Sequence, residues 1–207
     1  EEKYNNEFLK IKNLDEVERL YSNLRLEHSK EDLDFNLINI NERIPNIIII
    51  ILESFVSENC NFLNPNLKQN ITPFLSELSS KGISFSNCFA NGIRSAYGIG
   101  SILASWPVLP GKPIISQVES GFSDNTLSKS MNVFPILGYN RTFLCGIDTN
   151  FDNMKGFCIA NGFDEVIDRN HPKLSGSKDG TMWGIYDHIM LNHLIDIANS
   201  KKNNPFM

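Results

Sequence analysis

The chain has 207 residues, of which 41% are hydrophobic and 21% are charged, and its formal net charge is −5 at pH 7. This length and apolar content suffice for the core of one domain. The negative charge and the absence of a Lys/Arg cluster from the sequence argue against nucleic acid as a partner. The longest apolar run, Ile47 to Leu52, is far shorter than the about 20 residues that a membrane-spanning helix needs.

The first segment, residues 1–42, carries apolar residues at helical spacing among many charges. This pattern predicts an amphipathic helix that packs on the domain surface or leads in from an upstream region. The opening residues lack the basic and then apolar order of a signal peptide, so we expect any targeting segment to have been removed or to lie upstream. We therefore divide the chain into a helical lead-in segment, 1–42, and a main region, 43–207.

The pattern changes at Pro45, where Ile47 to Leu52 form an unbroken and mostly β-branched run. Such a run is typical of a central strand that is buried on both faces of a parallel sheet. Glu53 follows directly, at the end of the strand where open α/β sheets bind their ligands. The sequence also allows a simpler interpretation, in which Glu53 is a surface carboxylate at a strand end.

Predicted helices and strands alternate through the rest of the chain. Thr72 and Pro73 open a helix that Gly82 ends, because Thr caps helices and Pro suits their first turn. The later patterns predict strands at 83–89 and 141–145 and helices at 95–105, 151–161 and 187–200. This order predicts an α/β fold with a largely parallel sheet.

Ser95 opens the predicted helix 95–105, directly after a strand and a loop. A hydroxyl nucleophile is activated when a divalent metal binds it and carboxylates hold the metal. The N–H groups of a helix N-terminus at the same place bind anions. Ser95 and Glu53 are therefore candidates for a phosphoryl or sulfuryl transfer site, although Ser95 in isolation also fits a simple helix cap.

The four cysteines, Cys60, Cys88, Cys145 and Cys158, show no CxxC spacing. We expect buried or partly buried thiols. A disulfide between Cys145 and Cys158 is an alternative that the sequence alone does not decide.

Three stretches together resemble the phosphoglycerol transferase/sulfatase family, which includes the lipoteichoic acid synthases and the glycerol phosphotransferases of osmoregulated glucans. They are PNIIIIILESF from Pro45, ITPFLSELSSKGISFSNCFANGIRSAYGIGSILASWPVLPGKPII from Ile71, and LGYNRTFLCGIDTNFDNMKGFCIANGFDEVID from Leu137. The WGIYD at Trp183 to Asp187 is similar to the same family. The resemblance covers about residues 43–207 and identifies this region as the N-terminal part of a sulfatase-like catalytic domain.

The resemblance implies an alkaline phosphatase-like α/β sandwich with a largely parallel central sheet. It also implies a divalent metal, Mn²⁺ or Mg²⁺ with Zn²⁺ or Ca²⁺ as alternatives, held by a Glu after the first strand, a Thr or Ser nucleophile and a later Asp-His pair. Glu53 and Ser95 match the first two positions. The Ala-Tyr-Gly-Ile that follows Ser95 lacks the Cys/Ser-x-Pro-x-Arg pattern of the sulfatases that use formylglycine, so we do not expect that mechanism.

Three further residues are candidates for substrate binding. Arg94 precedes Ser95, and a guanidinium binds phosphate in a bidentate manner, although a solvated loop charge is an equal alternative. By the resemblance, Asp152 and Asn153 lie in the region where lipoteichoic acid synthases have a Trp and an Arg that bind the glycerophosphate headgroup. These two residues can hydrogen-bond a polar headgroup or cap a helix. We interpret Asp187-His188 as the start of a surface helix, with Asp187 as its cap, and not as the metal-binding pair.

The resemblance implies a metal-dependent transferase that moves a phosphoglycerol or related phosphorylated headgroup from a membrane phospholipid to a glycan or lipid acceptor through a covalent Ser95 intermediate. A phosphodiesterase or sulfatase-type hydrolase at the same site and a non-catalytic binding module are the alternatives. Relatives work on the extracytoplasmic face of the cell membrane, with upstream membrane segments. Asn204 to Met207 resembles the start of a further core strand, so we expect a truncated domain with its Asp-His pair beyond Met207.

Overall fold

The computed structural model of the protein describes residues 44–108, 111–117, 133–174, 179–201 and 204–207. The chain divides into two units, Glu1–Ile44 and Pro45–Met207, and the description below concerns the second. The amphipathic helix predicted within residues 1–42 lies outside the described residues.

Five α-helices have defined bounds in the described residues. They are α1 (Pro73–Lys81), α2 (Ser95–Ala104), α3 (Val133–Ile136), α4 (Met154–Ala160) and α5 (Asp187–Ser200). Short 3-10 helices occupy Ser57–Asn59, Ile114–Ser116 and Phe151–Asn153. The predicted start of α1 at Thr72-Pro73 is confirmed, with Thr72 as its N-cap and Gly82 as its C-cap.

Two parallel strands, β1 (Thr142–Leu144) and β2 (Glu165–Ile167), form the sheet, with Phe143 opposite Val166. Because parallel strands need a crossover, α4 lies between them in the chain. Beside β1, Asn140 forms a parallel bridge with Phe206. The N–H of Ile47 donates to the carbonyl of Phe206 at 2.8 Å. The chain segments around residues 47, 206, 140 and 165 therefore lie side by side in that order.

The core lies on the two faces of this sheet. Phe143 and Val166 pack against a larger cluster that contains Phe157 of α4 and Ile99 of α2. Their neighbours Leu144 and Ile167 belong to a second cluster with Leu174 and Ile197 of α5. This division follows from the period of two in a strand, where successive side chains point to opposite faces. The layered α/β arrangement predicted from the sequence is present.

The prediction of a fully buried central strand at Ile47 to Leu52 is wrong. The run is extended but forms no strand, and Ile48, Ile49, Ile50, Ile51 and Leu52 are exposed at 44–59%. β-Branched residues fit a pleated surface, but a strand also requires a neighbour with which to form a ladder. In the described residues the adjacent segment at Phe206 reaches only Ile47, so the rest of the run has no ladder to join.

The strand predicted at 83–89 is also not formed, and Phe85 and Phe89 are 76% and 84% exposed. The helix predicted at 151–161 is divided into the 3-10 helix Phe151–Asn153 and α4. Asp152 has a left-handed backbone with φ of 53°, which interrupts the helix. The alternating pattern at 83–89 thus did not lead to a paired strand. The helical spacing at 151–161 did not reveal the kink at Asp152.

Candidate active site

Ser95 is the first residue of α2, and its side chain is exposed. The helix forms because Ala96, Ile99 and Leu103 lie on one buried face. Gly100 allows a close approach to the 3-10 helix 114–116, since a Cβ there would lie 2.8 Å from a methyl carbon of Ile114. The packing fixes α2 and leaves its first turn at the surface.

The N-cap of α2 is Arg94, and it makes no side-chain capping bond. Ser95 is therefore not the N-cap, which removes the simpler interpretation of this residue. The N–H groups of the first turn of a helix have no acceptors within the helix, and they carry the positive end of its dipole. The Ser95 hydroxyl thus lies at a place that favours an anion.

The structure joins two of the predicted substrate-binding residues. Nη2 of Arg94 donates to Oδ2 of Asp152 at 2.8 Å, across 58 residues of sequence. The hydroxyl of Ser116 donates to Oδ1 of the same carboxylate at 3.3 Å. Asp152 therefore connects Arg94, the residue before Ser95, to the 3-10 helix 114–116.

Asp152 and Asn153 both have left-handed backbones, with φ of 53° and 57°. Asp and Asn tolerate this conformation best among residues with a side chain, yet it costs about 1–2 kcal/mol for each. The side chains of Arg94 and Asp152 are 51% and 22% exposed. An ion pair of this exposure contributes only about 0–1 kcal/mol, so it does not offset the backbone cost.

Asn153, the third predicted substrate-binding residue, makes contacts with nearby residues of the same segment. Its N–H donates to the carbonyl of Asn150, and its side chain lies over Gly156, where an added Cβ would be 2.4 Å from Oδ1. Asn153 is the N-cap of α4 but makes no side-chain capping bond. Its role in headgroup binding stays a prediction.

Glu53 is exposed and follows the Ile47 to Leu52 segment. Burial raises the pKa of the Cys145 thiol, and the carboxylates of Asp168 and Glu53 raise it further. The charge of Glu53 thus acts on the thiol of Cys145, the residue that directly follows β1. That Glu53 and Ser95 share one metal ion stays a prediction.

Sequence reasoning missed Asp168, which is 7% exposed and directly follows β2. Its Oδ2 accepts hydrogen bonds from the hydroxyl of Thr149 at 2.7 Å and from its N–H at 3.2 Å. Its Oδ1 accepts from the N–H of Asn170 at 2.9 Å. Burial by itself would raise the pKa of Asp168, but these bonds and the charge of Lys155 hold it below its usual value.

Asp168 fixes the loop that runs from β1 to Asp152, because Thr149 is fully buried within that loop. The signal that could have found it was the one that selected Glu53, a carboxylate at the carboxyl end of a strand. The sequence analysis predicts no strand at Glu165–Ile167, so it gives no reason to select the carboxylate that follows.

All four cysteines are free thiols. Cys60 and Cys158 are buried and Cys145 is half-buried, as expected. Cys88 is exposed, so the expectation of a buried or partly buried thiol is wrong for this residue. Burial and the neighbouring Cys145 raise the pKa of Cys158 to about 12. Neither Cys145 nor Cys158 therefore favours the reactive thiolate.

Asp187 is the first residue of α5, and its N-cap is Tyr186 rather than Asp187 as predicted. The ring of His188 stacks on Tyr186 with centroids 5.9 Å apart, and the residue is exposed. This placement agrees with the interpretation of Asp187-His188 as the start of a surface helix.

In the part of the chain that the structure describes, no three His, Cys, Asp or Glu side chains are arranged to hold a metal ion. Glu53 and Ser95 supply the oxygen donors that a hard cation such as Mg²⁺ or Mn²⁺ prefers. Two donors are fewer than such an ion needs, so a complete site requires further ligands. None of the described helices is long and apolar enough to cross a membrane.

Two parallel strands flanked by helices, with Asp168 directly after β2 and Ser95 at the first turn of α2, define an α/β protein. The chain belongs to the sulfatase family, whose family model matches residues 45–207. This is a family of hydrolases and transferases, and members of the superfamily generally use divalent metals. The family and the fold class expected from the sequence are confirmed.

Two solved structures are similar to this chain. A protein in the alkaline phosphatase superfamily from Vibrio parahaemolyticus is 30% identical, with a TM-score of 0.54, over 66% of this chain and 33% of that chain. The lipoteichoic acid synthase LtaP from Listeria monocytogenes is 21% identical, with a TM-score of 0.45, over 57% of this chain and 28% of that chain. The match thus spans about a third of the length of each.

Proposed function

We propose that the protein is a metal-dependent transferase that moves a phosphoglycerol or related phosphorylated headgroup from a membrane phospholipid to a glycan or lipid acceptor. The observation that carries this proposal is the exposed Ser95 at the N-terminus of α2, preceded by Arg94, which pairs with Asp152. A hydroxyl nucleophile, helix N–H donors and a guanidinium are the groups that transfer of an anionic phosphoryl group requires.

In the proposed first step, Oγ of Ser95 attacks the phosphorus of the donor in line with the leaving oxygen. A bond from Oγ to phosphorus forms, the bond from phosphorus to the lipid oxygen breaks, and the Ser95 proton ends on the released diacylglycerol. In the second step an acceptor hydroxyl attacks the same phosphorus, and Ser95 leaves and regains a proton. The N–H groups of the first turn of α2 stabilise the charge on the phosphoryl oxygens in both steps.

Glu53 and Ser95 would hold the divalent metal together with further ligands. The bound ion would lower the pKa of the Ser95 hydroxyl. Arg94 binds the phosphate through its guanidinium, which has five N–H donors. Asp152 accepts from Nη2, and the other donors are left for the phosphate. Asp152 and Asn153 are proposed to hydrogen-bond the polar headgroup.

We place this chemistry on the extracytoplasmic face of the cell membrane, where both a phospholipid donor and a glycan acceptor are accessible. The support is the resemblance to membrane-anchored relatives. The membrane and the acceptor are the proposed partners.

The family match also favours a second candidate, a phosphodiesterase or sulfatase-type hydrolase at the same site. Water then replaces the acceptor hydroxyl in the second step. With phosphatidylglycerol as donor, free glycerophosphate indicates hydrolysis, and a phosphoglycerol-modified acceptor indicates transfer.

The test is release of diacylglycerol from phosphatidylglycerol by the full-length protein with added Mn²⁺ or Mg²⁺. Ser95→Ala should lower kcat by at least about 1,000-fold, because removal of a nucleophile costs this much or more. The matched control is Ser101→Ala, the same change on the same helix, where the hydroxyl donates to the carbonyl of Trp106. It should keep activity, and near-normal release by Ser95→Ala would refute the nucleophile assignment.

Glu53→Gln distinguishes the metal ligand from the nucleophile. It keeps the shape of the side chain but removes the charge that attracts a hard cation, so metal affinity should fall along with activity. Ser95→Ala should keep more of its metal than Glu53→Gln when both are measured by equilibrium dialysis with Mn²⁺. Equal metal content in Glu53→Gln and the unchanged protein would remove Glu53 from the site.

A further inference from the structure

The Arg94–Asp152 pair joins two segments that are 58 residues apart, and Arg94 directly precedes Ser95 in the chain. We propose that Asp152 is a positioning residue of the Ser95 site, which orients the Arg94 guanidinium so that it meets the substrate phosphate in a fixed geometry. This inference rests on the proposed function. It gives Asp152 a second role besides headgroup binding, in which it acts on the phosphate through Arg94.

The first argument concerns the backbone. Asp152 and Asn153 occupy successive left-handed positions. An exposed ion pair is too weak to explain why the chain keeps this conformation. Unfavourable backbone geometry of this kind concentrates at functional sites, where it sets the direction of a side chain. At Asp152 the side chain is directed to Arg94 and to Ser116.

The second argument concerns rigidity. The Asp152 carboxylate accepts from Arg94 through one oxygen and from Ser116 through the other, so its plane is fixed. The loop before it is fixed in turn, because the buried Thr149 donates to Asp168. A guanidinium that pairs with a carboxylate held in this way samples fewer orientations. A long side chain that is half exposed and unpaired would lose more freedom when it binds phosphate.

The third argument concerns charge. An oriented guanidinium keeps its remaining N–H donors for a phosphate, because Asp152 accepts from Nη2. Asp152 itself is an anion, so its own direct contact with a phosphate would be unfavourable. The geometry therefore suits Asp152 to act on the phosphate through Arg94.

A double-mutant cycle tests this with Arg94→Gln, Asp152→Asn and the double variant in the full-length protein. The assays are diacylglycerol release from phosphatidylglycerol and cleavage of a chromogenic phosphodiester. Asp152→Asn should raise KM about tenfold with a smaller change in kcat, because a misplaced guanidinium binds phosphate less well. The double variant should be no worse than Arg94→Gln, since Asp152 acts through Arg94.

Two further variants separate positioning from a merely structural role. Asp152→Gly suits the left-handed backbone, so its Tm should stay equal or rise while its KM rises as in Asp152→Asn. The matched control is Asp148→Asn, which removes the same charge from the same segment, where the carboxylate accepts from Asn150. Its KM should stay within about twofold of the unchanged protein.

Additive effects of Arg94→Gln and Asp152→Asn, or an unchanged KM in Asp152→Asn, would overturn the inference. Failure of the proposed function looks different. If the unchanged protein leaves phosphatidylglycerol intact but cleaves the chromogenic ester, the donor assignment fails and the cycle on that ester still decides the role of Asp152. Inactivity toward both substrates with Mn²⁺ present would reject both proposals.

Discussion

Two regions of this protein have similar sequence patterns and different packing. In residues 44–93, the isoleucine run and the 83–89 stretch are exposed, with Ile50 at 59% and Phe85 at 76%. In residues 133–207, the described part contains two paired strands, and Ile167 and Phe157 are fully buried. The first region has the stronger strand signal, yet the second one forms the sheet.

The difference shows what makes a strand in this fold. Ile167 is buried because β1, α5 and the turn with Leu174 surround it, and three residues of β2 suffice for this. Ile50 belongs to a longer β-branched run but has no ladder partner in the described residues. Neighbours decide burial, and local propensity supplies only compatibility with the strand.

The comparison predicts its largest effect at Phe157. This side chain fills the main cluster between α2, α4 and the sheet and is 0% exposed. Phe157→Ala should lower the free energy of unfolding by about 3–5 kcal/mol, because the loss of apolar burial adds to the cost of a cavity. Urea denaturation followed by circular dichroism measures it.

The matched control is Phe85→Ala, which removes the same ring from the exposed region. It should change the free energy of unfolding by no more than about 0.5 kcal/mol. Similar losses at Phe85 and Phe157 would show that the two regions do not differ in packing.

The sequence predicted three of the five described helices well, because a buried face and the residues at helix ends leave a local pattern. The ends of these three helices lie within one residue of the predicted bounds: Pro73–Lys81, Ser95–Ala104 and Asp187–Ser200. It also predicted the parallel α/β class and the strand at 142–144. These features depend on neighbours in the chain or on the period of two within one strand.

The sequence did not predict the features that depend on distant contacts. The exposure of Ile48 to Leu52 follows from which segment lies beside the run, and the kink at Asp152 places its carboxylate against Arg94. Arg94 and Asp152 were each predicted as candidates, but the bond between them spans 58 residues. No periodic pattern records such a contact.

An intermediate effect is expected at Asp168, the polar centre of the paired region. Asp168→Asn replaces a charged acceptor of three hydrogen bonds, two from Thr149 and one from Asn170. The free energy of unfolding should fall by about 1–3 kcal/mol at pH 7. Asp196→Asn is the control, an exposed carboxylate on α5 that should change stability by no more than about 0.5 kcal/mol.

The pH dependence gives this prediction a second readout. The pKa of Asp168 lies below its ordinary value of 3.8, so the folded state favours the ionised carboxylate. Its contribution is fully present above the unfolded pKa and is lost as pH falls through the folded pKa. The stability difference between the unchanged protein and Asp168→Asn should be constant from about pH 5 to 8 and shrink below about pH 4. A difference that persists unchanged at lower pH would mean that the charge is not involved.

The smallest effect is expected at Ile50, where the sequence pattern and the structure disagree most. Ile50→Thr keeps the β-branch and replaces an ethyl group with a hydroxyl, which is costly only where the side chain is removed from water. Because Ile50 is 59% exposed, the free energy of unfolding should change by no more than about 0.5 kcal/mol. The same substitution at Ile167, which is 0% exposed, is the matched control and should cost about 2 kcal/mol or more. If Ile50→Thr costs as much as Ile167→Thr in urea denaturation, then residues 47–52 are buried in solution. The isoleucine run would then form the central strand that its pattern predicts, and the contrast between the two regions would be lost.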